Sequence, residues 1–254
     1  MKMARVLLLA GMALLSGGSI LRGSGLAWAV QMGEAQQLGT CFGAFQVFPD
    51  SSGIVYGDNR GFVRVLERKQ GGYQEVWKSE PLGSGIGGVF VLDVNLDGQA
   101  EIVAYTSGGK ILYFDARSHQ IIWEIQRERF QAISVLILAD VDRDVQMELI
   151  FCADDRLYVY DGKTQFEEWA SEQDLPAEQI VVGDVDGDGE DEIVLNTGVV
   201  LDALFFDIEW QSPERFGDRI ALLDIDNDGI PEVIAEGGNR FLRIWDLDLR
   251  REKW

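Results

Sequence analysis

Hydrophobic positions along the chain fall into short runs instead of long helical stripes. A representative stretch has apolar runs at residues 102–105 and 111–114, separated by the turn Ser107-Gly108-Gly109. Short runs rich in β-branched and aromatic residues, bounded by Gly, Asn or Asp, are typical of β-strands. No long segment with a 3.6-residue period competes with them. The pattern therefore predicts an all-β chain built from antiparallel hairpins.

One acidic segment recurs four times within this pattern. Its leading aspartates are residues 93, 140, 184 and 224, at intervals of 47, 44 and 40 residues. A recurrence of about 40 to 50 residues is the period of a propeller blade. In the first copies, three further apolar runs follow the acidic segment. This arrangement predicts a four-stranded meander in every unit.

Tryptophans mark the last strand of the units. Trp210 follows its preceding strand more closely than the others do, which predicts a shortened or irregular outer hairpin in the fourth unit. Residues 53–66 reproduce the second and third strands without an acidic segment before them. We therefore predict a β-propeller of five blades, each of four antiparallel strands, with acidic loops between the first and second strands of blades two to five. The tryptophans concerned are Trp77, Trp123, Trp169, Trp210 and Trp254.

The predicted blades span about residues 41–80, 86–126, 132–171, 178–212 and 217–254, and residues 30–40 are a linker. Because the chain ends at the tryptophan of the fifth unit, each blade is expected to supply its own four strands. Closure of a ring would then depend on the first and fifth blades packing side by side. An open stack of blades is the alternative, and it would leave apolar faces that need a partner.

The N-terminus has the pattern of a secretory signal peptide over residues 1–29. Lys2 and Arg5 precede an apolar run at 6–15, and small residues end in Ala27-Trp28-Ala29. The apolar run is about half of the roughly 20 residues that a membrane-spanning helix needs. An uncleaved anchor is the alternative. We expect export to a periplasmic, extracellular or lumenal compartment, with no membrane insertion after cleavage.

Composition narrows the chemistry that this chain can perform. Of 254 residues, 43 are acidic and 22 basic, giving a formal net charge of −21, which argues against nucleic acid and anionic membranes as partners. The chain has one histidine, His119, and two cysteines. Common catalytic sets and sites for transition metals are hard to assemble from so few such residues. The carboxylates are therefore the candidate functional groups.

The four acidic loops place oxygen ligands at alternate positions, as a hard cation requires. Calcium takes six to eight oxygen ligands, and a tight loop can supply side chains at positions 1, 3 and 5, with a backbone carbonyl at position 7. Here a glutamate at position 9 completes the set and leads into a strand. Without a cation the clustered carboxylates would repel one another. The predicted metal ligands are Asp93, Asn95, Asp97, Gln99 and Glu101; Asp140, Asp142, Asp144, Gln146 and Glu148; Asp184, Asp186, Asp188, Glu190 and Glu192; and Asp224, Asp226, Asp228, Ile230 and Glu232.

These loops and their spacing resemble the FG-GAP or VCBS repeat of integrin α-chain propellers and of many bacterial secreted proteins. In that repeat a D-x-[DN]-x-D-G-x-x-[DE] loop between the first two strands of a blade binds calcium. The resemblance covers about residues 40–254. It implies a calcium-binding β-propeller with up to four structural Ca²⁺ ions, each joining the first strand of a blade to the second. Solvated acidic turns without metal are the alternative.

The four loops are not expected to bind equally. The loops that begin at Asp184 and Asp224 have every side-chain ligand and the glycine at position 6, so they should bind most tightly. Asn95 contributes a neutral oxygen to the first loop. Val145 replaces the glycine in the second loop, where a β-branched residue at positive φ is costly. The loop at Asp140 is therefore predicted to be the weakest.

The cysteines, the histidine and the basic residues of the last blade give three further predictions. Cys41 and Cys152 could pair in an exported protein, but they fall on blades that would not touch, so no intrachain disulfide is favoured. His119 is expected to be an exposed turn residue. The last blade concentrates basic residues, which indicate either surface charge balance or a docking patch for an acidic partner or blade. These basic residues are Arg240, Arg243, Arg250, Arg251 and Lys253.

Together these features favour an exported, non-catalytic module that binds or scaffolds protein or glycan partners on a propeller face. It is expected to be a monomer unless the ring is open. Two alternatives stay open. One is a polysaccharide-active enzyme with its site on one face, because paired carboxylates can hydrolyse glycosidic bonds. The other is an assembly factor for a larger exported or membrane complex.

Overall fold

The computed structural model describes residues 44–48, 53–126, 128–237 and 241–253. They form twenty strands in five antiparallel sheets of four strands each, in simple meander order. The predicted all-β fold with five four-stranded blades is confirmed. Within these residues no helix is long and apolar enough to cross a membrane. The predicted signal peptide, the linker and Cys41 lie outside the described residues.

The strands of each blade follow one another in the chain. Blade 1 contains β1 (Ala44–Val47), β2 (Gly53–Gly57), β3 (Val63–Lys69) and β4 (Gly72–Lys78). Blade 2 contains β5 (Ile86–Leu92), β6 (Glu101–Thr106), β7 (Ile111–Asp115) and β8 (Ile121–Glu124). Blade 3 contains β9 (Ile133–Ala139), β10 (Glu148–Ala153), β11 (Arg156–Asp161) and β12 (Glu167–Ala170). Blade 4 contains β13 (Ile180–Gly183), β14 (Glu192–Leu195), β15 (Val199–Asp202) and β16 (Ile208–Gln211). Blade 5 contains β17 (Arg219–Leu223), β18 (Glu232–Gly237), β19 (Phe241–Asp246) and β20 (Arg251–Glu252).

The fourth blade is shortened in its second and third strands, not in its outer hairpin. Residues 203–207 separate β15 from β16, the same spacing that separates β7 from β8 and β11 from β12. By contrast β14 and β15 have four residues each, whereas β10 and β11 have six each. The predicted shortening of the outer hairpin is therefore wrong, and the register shift of this hairpin is one that blades 2 and 3 also have. The closer spacing of Trp210 reflects shorter strands before that hairpin.

The three interior blades are covered on both faces. Every residue of β6, β10 and β14 is buried, which explains why these strands are continuous apolar runs after an initial glutamate. Blades pack in chain order: β1 and β2 contact β5, β5 and β6 contact β9, β9 contacts β13, and β13 contacts β17. Four apolar layers result, one between each pair of successive blades.

The outward faces of the two end blades are less covered than the faces of the interior blades. Strand β2 alternates between buried and half-buried positions, and Ile234 and Ile244 in blade 5 are half-buried. Beside them Leu242 is 70% exposed and Leu223 54%. Among the described strands, no packing comparable to that between successive blades joins β17 or β18 to β1 or β2. These five blades therefore form an open arc, the arrangement that leaves an apolar face without cover.

Outer-strand tryptophans pack on the next blade along the chain. Trp77 stacks on His119 with ring centroids 4.7 Å apart, and Trp169 stacks on Phe206 at 4.9 Å. Both partners have positive φ, 59° and 61°, in the turn between the third and fourth strands. His119 is half-buried, so its predicted exposure is wrong, and burial lowers its pKa. Trp254 lies outside the described residues.

Two residues are buried at the junctions between blades. Asn196 is fully buried and bonds both neighbouring linkers: Oδ1 accepts from the Glu178 amide at 3.0 Å, and Nδ2 donates to the Gly217 carbonyl at 3.1 Å. Cys152 is a buried free thiol in the apolar layer between blades 3 and 4, and burial raises its pKa. Asn196 therefore ties blade 4 to both sides, whereas Cys152 serves as a small core residue.

Candidate metal centre

The four acidic loops connect the first and second strands of blades 2 to 5, and they share one backbone conformation. Positions 4 and 6 of each loop have positive φ. The glycines of the motif predicted this only for position 6. At position 4 the loops have Leu96 (φ 59°), Arg143 (64°), Gly187 (80°) and Asn227 (63°); at position 6 they have Gly98 (87°), Val145 (77°), Gly189 (92°) and Gly229 (98°).

Two side chains hold each loop in this shape by accepting backbone hydrogen bonds. In the third loop, Oδ2 of Asp184 accepts from the Gly189 amide at 3.1 Å, and Oε2 of Glu192 accepts from the Val185 amide at 2.7 Å. Corresponding bonds occur in the other three loops. The glutamate at position 9 is consequently buried in every loop, at 1–3% exposure. Each glutamate thus fixes the junction between loop and second strand.

Carboxylates converge at positions 1, 3 and 9 in three of the loops. Within each group one oxygen from every side chain lies within 4.8 Å of the others. The aspartates at position 5 are not members of these groups; in the third loop Asp188 Oδ1 instead accepts from the Glu190 amide at 2.8 Å. Position 7 therefore lies beside position 5, in all four loops. The groups are Asp140, Asp142 and Glu148; Asp184, Asp186 and Glu192; and Asp224, Asp226 and Glu232.

The carboxylate groups of the second and third loops concentrate negative charge in a partly dry environment. Burial, together with the charges of neighbouring aspartates, raises the pKa of Glu148 and of Glu192 to about 8. A divalent cation between the three carboxylates would favour their ionised forms and oppose this shift. All the donors are carboxylate oxygens, the ligand type that calcium and other hard cations prefer.

The second loop has a further feature that fits a cation. Oδ1 of Asp140 is buried and is the one side-chain nitrogen or oxygen atom of the described residues that is both buried and without a hydrogen-bond partner. A buried carboxylate oxygen without a partner is costly. A bound cation beside Asp142 and Glu148 would satisfy it. Val145 has the positive φ that the sequence predicted for this position.

The first loop supplies its own hydrogen-bond donor to the glutamate. Nδ2 of Asn95 donates to Oε1 of Glu101 at 3.2 Å, while Oδ1 of Asn95 accepts from the Asp97 amide at 2.9 Å. Burial raises the pKa of Glu101. Asp93 contributes to the loop bonds, accepting from the Gly98 amide at 2.8 Å, and Gln99 donates to Asp97. This loop therefore has fewer converging charges than the two that follow it.

The fourth loop contains a positively charged side chain that the sequence analysis did not assign to it. Nζ of Lys253 lies 2.5 Å from Oδ2 of Asp226, 2.7 Å from Oε1 of Glu232 and 3.6 Å from Oδ2 of Asp246. The ammonium group holds the pKa of Asp226 below its ordinary value. Lys253 follows the last strand in the chain, far from the loop in sequence, so the motif gave no sign of this contact.

Other basic residues of the last blade also bond within the chain. Arg243 forms ion pairs with Glu214 at 3.0 Å and with Glu252 at 2.8 Å, and its guanidinium lies 4.6 Å from the Trp245 ring centroid. These contacts agree with the charge-balance interpretation for Arg243. Arg250 and Arg251 are exposed, and Arg240 lies outside the described residues.

Two glutamates missed by the motif adjoin the second and third loops. Glu168 and Glu209 each immediately precede an outer-strand tryptophan. Burial is the largest cause that raises the pKa of both glutamates. Asp161 and the loop residues Asp142 and Asp144 add to it for Glu168, and Asp186, Asp202 and Asp188 add to it for Glu209. Glu209 also lines a small cleft with Asp186. In the sequence, these two glutamates are marked by their position before an outer-strand tryptophan. Strand alternation alone does not place that position beside a loop.

Neighbouring loops contact one another along one end of the arc. The Arg143 guanidinium lies 3.4 Å from Oε2 of Glu190 and also bonds the Gly189 carbonyl, which joins the second loop to the third. A Cβ added to Gly187 would lie 2.5 Å from Cδ1 of Ile230 in the fourth loop. The loops of blades 3 to 5 therefore form one continuous row.

The chain resembles solved structures of other proteins, but the comparisons do not assign it to a family. No protein-family model matches the chain, and no curated protein matches it. It is similar to Sqt1 of Saccharomyces cerevisiae (12% identity, TM-score 0.63, covering 83% of this chain and 60% of that one). It is also similar to BamB of Moraxella catarrhalis (15%, 0.56, 82% and 62%) and to the WD40 β-propeller domain of Doa1 (10%, 0.54, 83% and 66%). The chain spans less than two-thirds of each of these structures. These likenesses establish the β-propeller fold, and the FG-GAP or VCBS assignment stays a prediction from the motif.

Proposed function

We propose that this protein is an exported, calcium-stabilised β-propeller module that binds a protein partner and has no catalytic activity. The observation that carries the proposal is the uncovered face of blade 5. The equivalent faces of blades 1 to 4 are buried against the following blade, whereas Leu242 and Leu223 are 70% and 54% exposed. Exposed apolar faces of folded proteins commonly mark sites of protein association.

Support for calcium comes from the loops. Two of them combine three converging carboxylates with a glutamate whose pKa is raised to about 8, and one contains the unpartnered oxygen of Asp140. When bound, calcium would supply positive charge and coordinate these oxygens. The chain's own residues shape the loop and attach it to the second strand. The expected role is structural, since each loop joins two strands of one blade.

Support for a non-catalytic role comes from the shape of the surface. Two small clefts of the described residues have volumes of about 10 Å³ each. Sites for small molecules are usually several hundred ångströms cubed, roughly 300 or more. The carboxylates that could hydrolyse a glycosidic bond also hold the acidic loops together. Export rests on the pattern of residues 1–29.

Site-specific photo-crosslinking tests the binding surface. A photoreactive amino acid would be introduced at Leu242 in the full chain, and at Phe166 as a control. Phe166 is 74% exposed, but it lies at the outer hairpin of blade 3, away from the uncovered face. We expect one discrete protein adduct from position 242 and none from position 166, with mass spectrometry identifying the captured chain. Equal adducts at both positions, or none at position 242, would contradict the proposed surface.

A further inference from the structure

We propose that Lys253 acts as a built-in cation in the fourth acidic loop, so that this loop is stable without calcium and binds it more weakly than the second and third loops do. The inference rests on the proposed calcium function. It reverses the ranking expected from the motif, because the loop at Asp224 has every side-chain ligand and yet already contains a positive charge.

The backbone places Lys253 at the loop without strain. Its amide donates to the Ile244 carbonyl at 2.6 Å, which continues the pairing of β20 with β19. The side chain is 22% exposed and its ammonium lies between Asp226 and Glu232, two of the three carboxylates in this group. A calcium ion that used these oxygens would first have to displace the ammonium, which would then keep only the more distant Asp246, at 3.6 Å.

Equivalent positions in the other blades have different charges. The residue that precedes the outer-strand tryptophan is Ile122 in blade 2, Glu168 in blade 3, Glu209 in blade 4 and Lys253 in blade 5. In blades 2 to 4 this residue is the extra one at a register shift between the third and fourth strands. The register shift gives these three residues a common place beside the loop end of the blade.

This one position therefore adjusts how strongly each loop needs a metal. An added carboxylate, as at Glu209 beside Asp186, increases the negative charge that a cation must offset. A neutral residue leaves the loop charge unchanged. A lysine supplies a tethered ammonium in place of a divalent ion. The ammonium is part of the chain, so it loses no entropy by binding from solution. It supplies one positive charge where calcium supplies two. The sequence alone does not indicate these effects, because the position lies outside the loop motif.

Charge exchange at this position provides the test. Calcium bound by the purified protein would be counted after equilibrium dialysis, and hydrogen exchange would be followed in peptides covering each loop. In the wild-type chain we expect calcium to slow exchange in residues 140–148 and 184–192 and to leave 224–232 unchanged. Lys253→Glu should add about one bound ion and slow exchange in 224–232 about tenfold, since a ligand stabilises the state that it binds. Glu209→Lys should remove the calcium response of 184–192.

The inference is overturned if calcium slows hydrogen exchange in residues 224–232 of the wild-type chain as strongly as in 184–192. It is also overturned if, in K253E, calcium slows exchange in 184–192 but leaves 224–232 unchanged.

Absence of a calcium response in every loop would instead reject the proposed calcium function. The role of Lys253 would then be decided by melting temperature. Lys253→Met should lower it by more than Lys110→Met, because Lys110 makes only an exposed contact of 3.9 Å with Glu124. Equal effects of these two variants would reject the built-in cation.

Discussion

At the scale of the residue, Val145 shows how backbone conformation limits one acidic loop. It has φ 77° where the other three loops have glycine, and its side chain is 71% exposed. A β-branched residue in the left-handed region is strained, and here no packing compensates. The glycine motif predicted this strain. It did not predict the positive φ of Leu96 or Arg143 at position 4, because glycine occupies that position in one loop only.

Val145→Gly should therefore stabilise the protein, by up to about 1.5 kcal/mol. Relief of left-handed strain gains roughly 1–2 kcal/mol, and the greater freedom of glycine in the unfolded chain returns about 0.5–1 kcal/mol. Denaturant unfolding in the presence of a chelator measures the change. Gly189→Ala is the matched control: nothing lies within 4 Å of the added Cβ, so only the backbone cost remains and destabilisation is expected. Loss of stability in V145G would show that the valine is not strained.

At the scale of the element, blades 1, 3 and 4 each contact the next blade through the tryptophan of their outer strand. The tryptophan spacing predicted the outer strands of blades 1 to 4 correctly, since strand patterns depend on local alternation. The partners were not predictable. Phe206 is half-buried against Trp169, and the adjacent Phe205 is 70% exposed. Which of two successive phenylalanines faces the neighbouring blade depends on the positive φ of Phe206, and no glycine marks that turn.

Phe206→Ala should destabilise the protein by about 1–3 kcal/mol, because it removes a stacked ring from a half-buried contact between blades 3 and 4. Phe205→Ala provides a control of the same size in the same turn, and an effect within about 0.5 kcal/mol is expected for an exposed residue. Equilibrium denaturation of both variants measures the difference. Equal losses would mean that the stacking of Trp169 on Phe206 contributes nothing specific.

At the scale of the whole molecule, the repeat period predicted the number of blades but not the closure of the ring. Blade identity is encoded within each unit, whereas closure depends on small rotations summed over all the interfaces. The two outward faces that result include the half-buried Ile54 in blade 1 and Leu242 and Ile244 in blade 5. The metal loops are likewise recognisable as a repeat. The positive charge of Lys253 at the fourth loop is not recognisable from the repeat, because Lys253 lies far from that loop in the sequence.

Calcium should raise the melting temperature of the whole arc, because the loops form one row across blades 3 to 5 and each loop connects two strands. At a free calcium concentration about 100 times the dissociation constant, one site contributes about 2.7 kcal/mol. Thermal unfolding in chelator, in millimolar calcium and in millimolar magnesium measures the effect, and magnesium should do little since it requires near-octahedral geometry and keeps its waters. Replacing Asp140 and Asp184 together with Asn should abolish most of the rise, whereas Asp174→Asn, outside the loops, should preserve it. Identical melting curves in chelator and calcium would mean that the carboxylates of these loops serve no structural metal. The stability of the arc would then depend on the apolar layers and on the loop hydrogen bonds alone.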